Sequence, residues 1–201
     1  MRQKQVFLTI NKNRYIQQTM STNQQYDTAI QSCRDIFIKK TKDYGTSWRV
    51  YRTISVADQI YIKAKRIRTI QEKGAQKIGD DILSEFKGIL NYAIIGIIQL
   101  DKESDETEDL PVEEVAALYN EKTAIAKKLM EDKNHDYGEA WREMSQESFA
   151  DLILAKILRI KQILLNDGAT IISEGIDANF YDMMNYAVFA LILIKEGKHK
   201  K

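Results

Sequence analysis

The sequence predicts an all-α protein in which two tandem three-helix repeats pack as an intramolecular pseudo-dimer. The first observation is an internal repeat: the motif Asp-Tyr-Gly-x-x-Trp-Arg at residues 43–49 recurs 93 residues later at 136–142. Such a repeat marks one structural unit that occurs twice. The second observation is that 201 residues include one Pro and nine Gly, which favours helices over a fold rich in tight turns.

The repeat register and the charges divide the chain into five predicted regions. Net charge is +5 over residues 26–100 and −4 over 119–194, so the halves attract one another while the whole chain has no field that steers it to nucleic acid. The regions are a disordered N-terminal extension (1–23, with Met20 as an alternative start), repeat 1 (24–100), an acidic linker (101–111), repeat 2 (112–195) and a frayed basic tail (196–201).

Each repeat is predicted to open with a helix that ends in a glycine turn. Apolar residues recur at helical spacing over about 26–41 and 119–133. Gly45 and Gly138 suit the left-handed backbone position that follows a helix end. Three residues later, Trp48 and Trp141 are expected to fold back as hydrophobic plugs, with stacking on a nucleobase as the alternative.

The second helices are predicted to begin at a repeated Ser-x-x-Asp motif. Ser55 and Ser148 would cap these helices, and Asp58 and Asp151 would complete a capping box. The second of these helices is apolar in nearly every direction around its axis, which predicts that it is buried. The third helices are expected over about 80–100 and 179–195.

Cysteine usage and the length of the apolar runs favour a soluble, cytoplasmic protein. Cys33 is the single cysteine, so no internal disulfide can form and a reducing compartment is expected. The longest apolar run, 187–194, is much shorter than the ~18 residues of a membrane span. Residues 1–16 lack the apolar region of a secretory signal. We therefore expect no membrane partner, and the oligomeric state stays open.

Two basic pairs, one in each repeat, are the predicted phosphate ligands. Lys63 and Arg66 lie three residues apart and share a helix face, as do Lys156 and Arg159. On a buried helix each cation needs a carboxylate or an anionic ligand, because an unpaired buried charge is strongly destabilising. Two interpretations follow: the pairs belong to an internal salt-bridge network, or they bind phosphate.

Acidic residues of the second repeat are the predicted catalytic and metal-binding groups. Asp182 and Glu174 offer the oxygen ligands that magnesium prefers. Asp151 and His135 are further catalytic candidates, with helix capping and a helix-end charge as structural alternatives. Because Gly88 is the counterpart of Asp182, we expect a site in the second repeat that the first repeat lacks.

A last set of repeated residues suits either stacking on a base or a structural role. Its members are Trp48, Trp141, Tyr44, Tyr137, Asn91 and Asn185. The chain contains no phosphate-binding P-loop, no Gly-x-Gly-x-x-Gly motif, no Cys/His metal spacing and no nucleophile elbow. The common site classes that depend on those motifs are therefore excluded.

The repeated motifs resemble a known family. The likeness to the nucleotide modification associated domain type 1 family covers about residues 24–195. It rests on the Asp-Tyr-Gly-x-x-Trp-Arg turn, the Ser-x-x-Asp…Lys-x-x-Arg-Ile helix and the Asn-Tyr-Ala helix. Two segments, 133–142 and 172–179, are similar to Bacteroidetes members of that family. The resemblance implies association with nucleotide or base modification and no particular reaction. A looser likeness joins the chain to all-α MazG-type pyrophosphohydrolases, whose Glu-x-x-Glu…Glu-x-x-Asp signature is missing at matching positions.

Two functional hypotheses follow from the sequence. In the first, the protein binds or processes a small-molecule nucleotide, and magnesium-dependent hydrolysis of a phosphate ester is the reaction class. In the second, the protein is a non-enzymatic helical scaffold, and the same charges pair internally.

Overall fold

The computed structural model describes residues 20–77, 79–172 and 174–200, and within these ranges the chain forms α-helices and 3-10 turns but no strand. The predicted all-α class and the two three-helix repeats are confirmed. Residues 1–19 of the predicted disordered extension lie outside the described ranges, and for 21–23 the prediction is wrong, because Ser21 caps the first helix and Thr22 begins it. The helices are α1 (Thr22–Tyr44), α2 (Thr53–Lys73), α3 (Ile82–Asp101), α4 (Val112–Tyr137), α5 (Gln146–Leu165) and α6 (Ile176–Lys195).

A glycine turn and a short 3-10 segment join the first two helices of each repeat. Gly45 and Gly138 have φ angles of 67° and 62°, in the left-handed region that favours glycine. The segments Ser47–Val50 and Ala140–Glu143 follow, and they bury the two repeated tryptophans to 7% and 6% exposure. The expected hydrophobic plugs are present in both repeats.

The caps of the second helices differ from the predicted ones. Helices α2 and α5 begin two residues before Ser55 and Ser148, which therefore lie in the first turn. Ser145 caps α5 by accepting a hydrogen bond of 3.2 Å from the backbone N–H of Ser148, whereas Arg52 at the equivalent position provides no side-chain cap. The predicted serine caps were wrong because each helix starts almost directly after the 3-10 segment.

The two repeats share one core across an approximate two-fold axis. Helix α2 packs against its counterpart α5, and α3 packs against its counterpart α6 at the centre of the molecule. The central helices approach closely at Gly96, where an added Cβ would lie 2.6 Å from Cζ of Phe180. The apolar core runs through both repeats without division, so each repeat buries its apolar face against the other.

Buried hydrogen bonds occur in reciprocal pairs across this interface. Tyr26 Oη donates to Asn185 Oδ1 at 2.8 Å, and the equivalent Tyr119 Oη donates to Asn91 Oδ1 at 3.0 Å. Each asparagine also donates its Nδ2 to a backbone carbonyl of the first helix in its own repeat, at 3.1 to 3.2 Å. Asn91 and Asn185 therefore link three helices each and have a structural role.

Ion pairs repeat in the same way on the outer faces of α2 and α5. Lys161 Nζ lies 2.6 Å from Asp58 Oδ1, and the equivalent Arg68 pairs with Asp151. Both pairs join one repeat to the other. In one pair the basic residue belongs to repeat 1, and in the other it belongs to repeat 2. These ion pairs between the repeats are therefore symmetric, although the net charges of the two repeats differ in sign.

The linker and the tail are both docked against the helices. Thr46 Oγ1 donates to the carbonyl of Glu108 and accepts from the N–H of Leu110, each at 2.8 Å. At the tail, His199 Nε2 lies 3.0 Å from the carbonyl of Met144, and Gln146 donates to the carbonyl of Lys200 at 2.6 Å. The expectation of a frayed tail is wrong as far as Lys200.

Helix α3 is long and apolar enough to cross a membrane by length and composition alone. Of its most apolar stretch, 67% is buried inside the fold. Packing against α2 and α6 accounts for this apolarity, as is usual for the central helix of a folded core.

Candidate functional site

The first repeat contains an open hollow between the end of α1, the Trp48 turn and α3. Its volume is about 560 Å³, which lies in the usual range of small-molecule sites. Four predicted site residues, Tyr44, Trp48, Lys63 and Asn91, meet there. We call this cavity the first hollow. Its aromatic lining residues are Phe37, Tyr44, Trp48, Tyr51 and Tyr92, and its charged lining residues are Lys40, Lys63, Asp80, Glu85 and Lys87. Gly88 and Ile95 of α3 also line it.

Three tyrosines, Tyr44, Tyr51 and Tyr92, line the first hollow. Burial raises the pKa of Tyr92, and the neighbouring Tyr51 and Tyr44 raise it further. The phenols of Tyr92 and Tyr44, whose pKa values burial raises, are therefore protonated at neutral pH and can donate hydrogen bonds. Lys63 Nζ lies 5.9 Å from the centroid of the Tyr92 ring, so the aromatic and basic linings are in contact.

Trp48 contributes an aromatic face and an unused donor to this lining. Its Nε1 is buried and has no hydrogen-bond partner in the part of the chain that the structure describes. In the second repeat the equivalent Trp141 Nε1 donates to Asn134 Oδ1 at 3.2 Å. The counterpart of Asn134 is Thr41, whose hydroxyl donates to the carbonyl of Phe37 instead. Trp48, which lines the first hollow, thus has a buried donor that no described residue satisfies.

The basic lining of the first hollow is only partly neutralised. Lys63 Nζ lies 3.2 Å from Glu85 Oε2, and Glu85 also pairs with Arg66. Lys40 and Lys87 make no ion pair with any described residue. The lining therefore has three lysines against two carboxylates, and it favours an anionic ligand.

The second repeat contains the equivalent hollow, but side chains fill most of it. This second hollow has a volume of about 140 Å³ and includes Tyr137, Trp141 and Asn185. Phe189, which replaces Ile95, stacks on Trp141 with ring centroids 4.3 Å apart and planes 7° apart. Phe189 thus covers one face of Trp141, although Trp48 and Trp141 are almost equally buried, at 7% and 6% exposure.

Asp182, the counterpart of Gly88, neutralises the basic residues of the second hollow. Its Oδ1 lies 2.6 Å from Lys133 Nζ, and its Oδ2 pairs with Lys156. Burial favours a higher pKa for Asp182, but the hydrogen bonds from the two lysines prevail and lower its pKa. The predicted phosphate ligand Lys156 and the predicted catalytic acid Asp182 are thus each other's partners.

Arg159 lies on the surface, although the sequence predicted a buried cation. In the first repeat the equivalent Arg66 pairs with the buried Glu85, but Asn179 replaces that acid in the second repeat. Arg159 instead lines an open surface hollow of about 640 Å³ together with Glu174. The expectation of burial is wrong for Arg159 and confirmed for Lys156, which is 8% exposed.

The remaining predicted catalytic residues lie away from the first hollow. Asp151 is exposed and pairs with Arg68, and the His135 side chain is 89% exposed with its Nδ1 3.1 Å from Asp136. Within the described ranges no group of three or more His, Cys, Asp or Glu side chains could hold a metal ion. A magnesium site at Glu174 and Asp182 stays a prediction.

Sequence reasoning missed several residues of the first hollow. Lys40 and Tyr92 recur as Lys133 and Tyr186 in the repeat register, so a complete comparison of the two halves contained a signal for them. Lys87 has no basic counterpart in the second repeat, and only the folded chain brings it to the hollow.

Comparison with known proteins agrees with the repeat. The family described as nucleotide modification associated domain 1 matches the chain twice, over residues 40–100 and 133–194. Each match runs from the end of the first helix to the third helix, and so contains most of the lining of one hollow. No curated protein and no solved structure matches the chain. Because the two matches together cover more than half of the 201 residues, the chain belongs to the nucleotide modification associated domain 1 family.

Proposed function

We propose that this protein binds a nucleotide in the first hollow, and that it does so in the cytoplasm. The observation that best supports this proposal is that equivalent hollows occur in both repeats. Side chains fill most of the hollow in the second repeat, whereas the first hollow is open and is lined by Lys40 and Lys87, which form no ion pair with any described residue. Tyr44 is 57% exposed and offers a face on which a base stacks, and the lysines of the same lining, Lys40, Lys63 and Lys87, attract the phosphate. The family description supports a nucleotide as the ligand.

The unused donor of Trp48 adds a second argument for a ligand. A buried N–H without a partner costs free energy of roughly 1–3 kcal/mol. Its counterpart Trp141 avoids this cost through Asn134. Because this nitrogen is buried in the folded chain, an oxygen of a bound base or sugar supplies the missing acceptor only if side chains of the lining shift.

The scaffold hypothesis keeps support from the second repeat. There the predicted ligands Lys156 and Asp182 pair with one another, and Asp151 pairs with Arg68 of the other repeat. A scaffold needs no ligand in either hollow.

If the protein also hydrolyses the bound nucleotide, the acids available in the first hollow are Asp80 and Glu85. Magnesium is then the cation to include in an activity assay.

The first prediction concerns stacking at the mouth of the first hollow. Tyr44 is 57% exposed, so Tyr44→Ala should leave the fold intact. We expect it to weaken nucleotide binding roughly tenfold, since stacking on one aromatic side chain contributes about 1–3 kcal/mol. The measurement is isothermal titration calorimetry of the full chain with purine and pyrimidine nucleotides, with and without magnesium.

The repeat provides a matched control for this experiment. Tyr137 is the counterpart of Tyr44, is 77% exposed and lies at the filled hollow, so Tyr137→Ala should bind nucleotide as the wild type does. Equal losses in the two variants would contradict a site in the first hollow. A wild-type chain that shows no binding and no thermal shift with any nucleotide would favour the scaffold, because a specific ligand raises the melting temperature by mass action.

A further inference from the structure

We propose that the first hollow holds one phosphate group between Lys40 and Lys63, directly over Gly88, so that its preferred ligand is a nucleoside monophosphate. This inference rests on the nucleotide site proposed above and specifies its ligand class. It comes from a comparison of the two repeats, because the second repeat carries its own anion at the equivalent position.

The carboxylate of Asp182 marks that position. Lys133 and Lys156, the counterparts of Lys40 and Lys63, both bind it. A carboxylate and a phosphate are recognised by the same charge-assisted hydrogen bonds. In the first repeat the two lysines line the hollow without this acid, so the position is left for an anion from outside the chain.

At Gly88 the first repeat lacks the carboxylate of Asp182, and the stem of Lys63 takes the space instead. A Cβ added there would lie 2.7 Å from Cε and 2.8 Å from Cδ of Lys63, so the lysine stem lies across the space that a side chain would take. Lys63 can turn from Glu85 toward an anion, because Glu85 keeps its second partner, Arg66. The turn leaves no buried carboxylate unpaired.

The charges of the lining limit the number of phosphate groups. A single phosphate carries a charge of about −1.5 to −2 at pH 7, which Lys40 and Lys63 neutralise. Every further phosphate lies beyond the position that Asp182 marks, where the remaining lining has one lysine, Lys87, against the two carboxylates of Asp80 and Glu85, and like charges repel. A monophosphate therefore fits better than a triphosphate of the same nucleoside.

The first test compares ligands on the unmodified full chain. Calorimetric titrations use the mono-, di- and triphosphate of one nucleoside, with magnesium and with a chelator. We expect one site per chain and a dissociation constant for the monophosphate that is about tenfold lower than for the triphosphate. Triphosphate binding as tight as monophosphate binding overturns this inference but keeps the nucleotide site. Failure of every nucleotide to bind overturns both.

The second test copies the second repeat into the first. Gly88→Asp places a carboxylate beside Lys40, which forms no ion pair with any described residue, and beside Lys63, which pairs with Glu85, so it should weaken monophosphate binding by tenfold or more while the melting temperature is kept or raised. Gly88→Asn adds nearly the same volume without the charge and should bind several-fold more tightly than Gly88→Asp. Equal affinities of the two variants show that the charge at this position is irrelevant, and they overturn the inference.

If Gly88→Asp does not fold, the reverse substitution in the second repeat tests the same inference. Asp182→Gly removes the internal anion, so Lys133 and Lys156 should respond to inorganic phosphate. Its melting temperature should rise with phosphate concentration more steeply than that of the wild type. The same slope for both proteins overturns the assignment of this position as an anion site.

Discussion

Asp182 and Gly88 occupy equivalent positions, yet one carries a buried carboxylate and the other carries no side chain. Asp182 is 8% exposed, and its partner Lys156 is equally buried. Removing one member of a buried ion pair leaves the other charge desolvated without compensation, which is far more costly than losing an exposed pair. The acid that the sequence predicted as catalytic therefore has a clear role in stability.

At this scale we predict that Asp182→Asn lowers the free energy of unfolding by about 3 kcal/mol. Urea denaturation measures the difference. The matched control is Asp132→Asn, because Asp132 pairs with Lys128 on an exposed helix face and should change stability by less than about 0.5 kcal/mol. A loss for Asp182→Asn as small as the control's would show that water already solvates Lys156.

The difference in stability between the wild type and Asp182→Asn should also depend on pH. The pKa of Asp182 lies below its usual value, so its contribution is complete above the unfolded-chain pKa of about 3.9 and is lost as pH falls through the folded-state pKa. The stability gap between the wild type and Asp182→Asn should therefore be constant near neutrality and shrink in acid. A gap that widens in acid would contradict this sign.

Residue chemistry alone favours a site in the second repeat, because a glycine opposite an acid indicates a missing ligand. In the structure the acid pairs with two lysines beside a small hollow, whereas the hollow beside the glycine is larger. The decisive contact is the hydrogen bond that Lys133 donates to Asp182, a residue 49 positions away in the sequence. Periodicity and spacing do not contain that contact.

At the scale of single elements, the tail after α6 is held through a half-buried imidazole. The ring of His199 packs on Phe149 with centroids 5.9 Å apart. Burial lowers the pKa of His199 and outweighs the hydrogen bond to the Met144 carbonyl and the charge of Glu147, which raise it. Its Nδ1 is buried without a partner among the described residues. The neutral ring is therefore the form that docks.

We predict that acid releases this tail. Since the folded-state pKa of His199 is lowered, docking is strongest above the unfolded pKa of about 6.5 and weakens as pH falls below it. Hydrogen exchange of residues 196–200 should accelerate between pH 7.5 and pH 5 after correction for intrinsic rates. His199→Gln cannot be protonated, so its corrected exchange should not depend on pH. Identical pH profiles for both proteins would assign the change to another group.

The sequence predicted the elements better than their ends. Apolar periodicity located all the described helices, and the glycine turns were correct because a positive φ has a clear residue preference. The caps at Ser55 and Ser148 were wrong because several residues near a helix start can cap it, and tertiary packing selects the one that does. Helix α5 was expected to be buried all round, yet Leu158 is 58% exposed.

For the whole molecule, we predict that neither repeat folds alone. The central helices α3 and α6 bury their apolar faces on one another, and each of Tyr26 and Tyr119 finds its partner in the other repeat. A fragment of residues 112–201 should show little cooperative unfolding by circular dichroism. Mixing it with a fragment of residues 20–110 should restore helicity and a cooperative transition. A stable monomeric 112–201 fragment would contradict the shared core.

The linker at 101–111 has a consequence for how such a molecule can change over evolutionary time. In a dimer of two identical single-repeat chains, every mutation appears in both halves, so an acid at the glycine position would close both hollows at once. When both halves are encoded in one chain, a mutation reaches one of them alone. One half can therefore carry Phe189 and Asp182 while the other half keeps Ile95 and Gly88 at the equivalent positions.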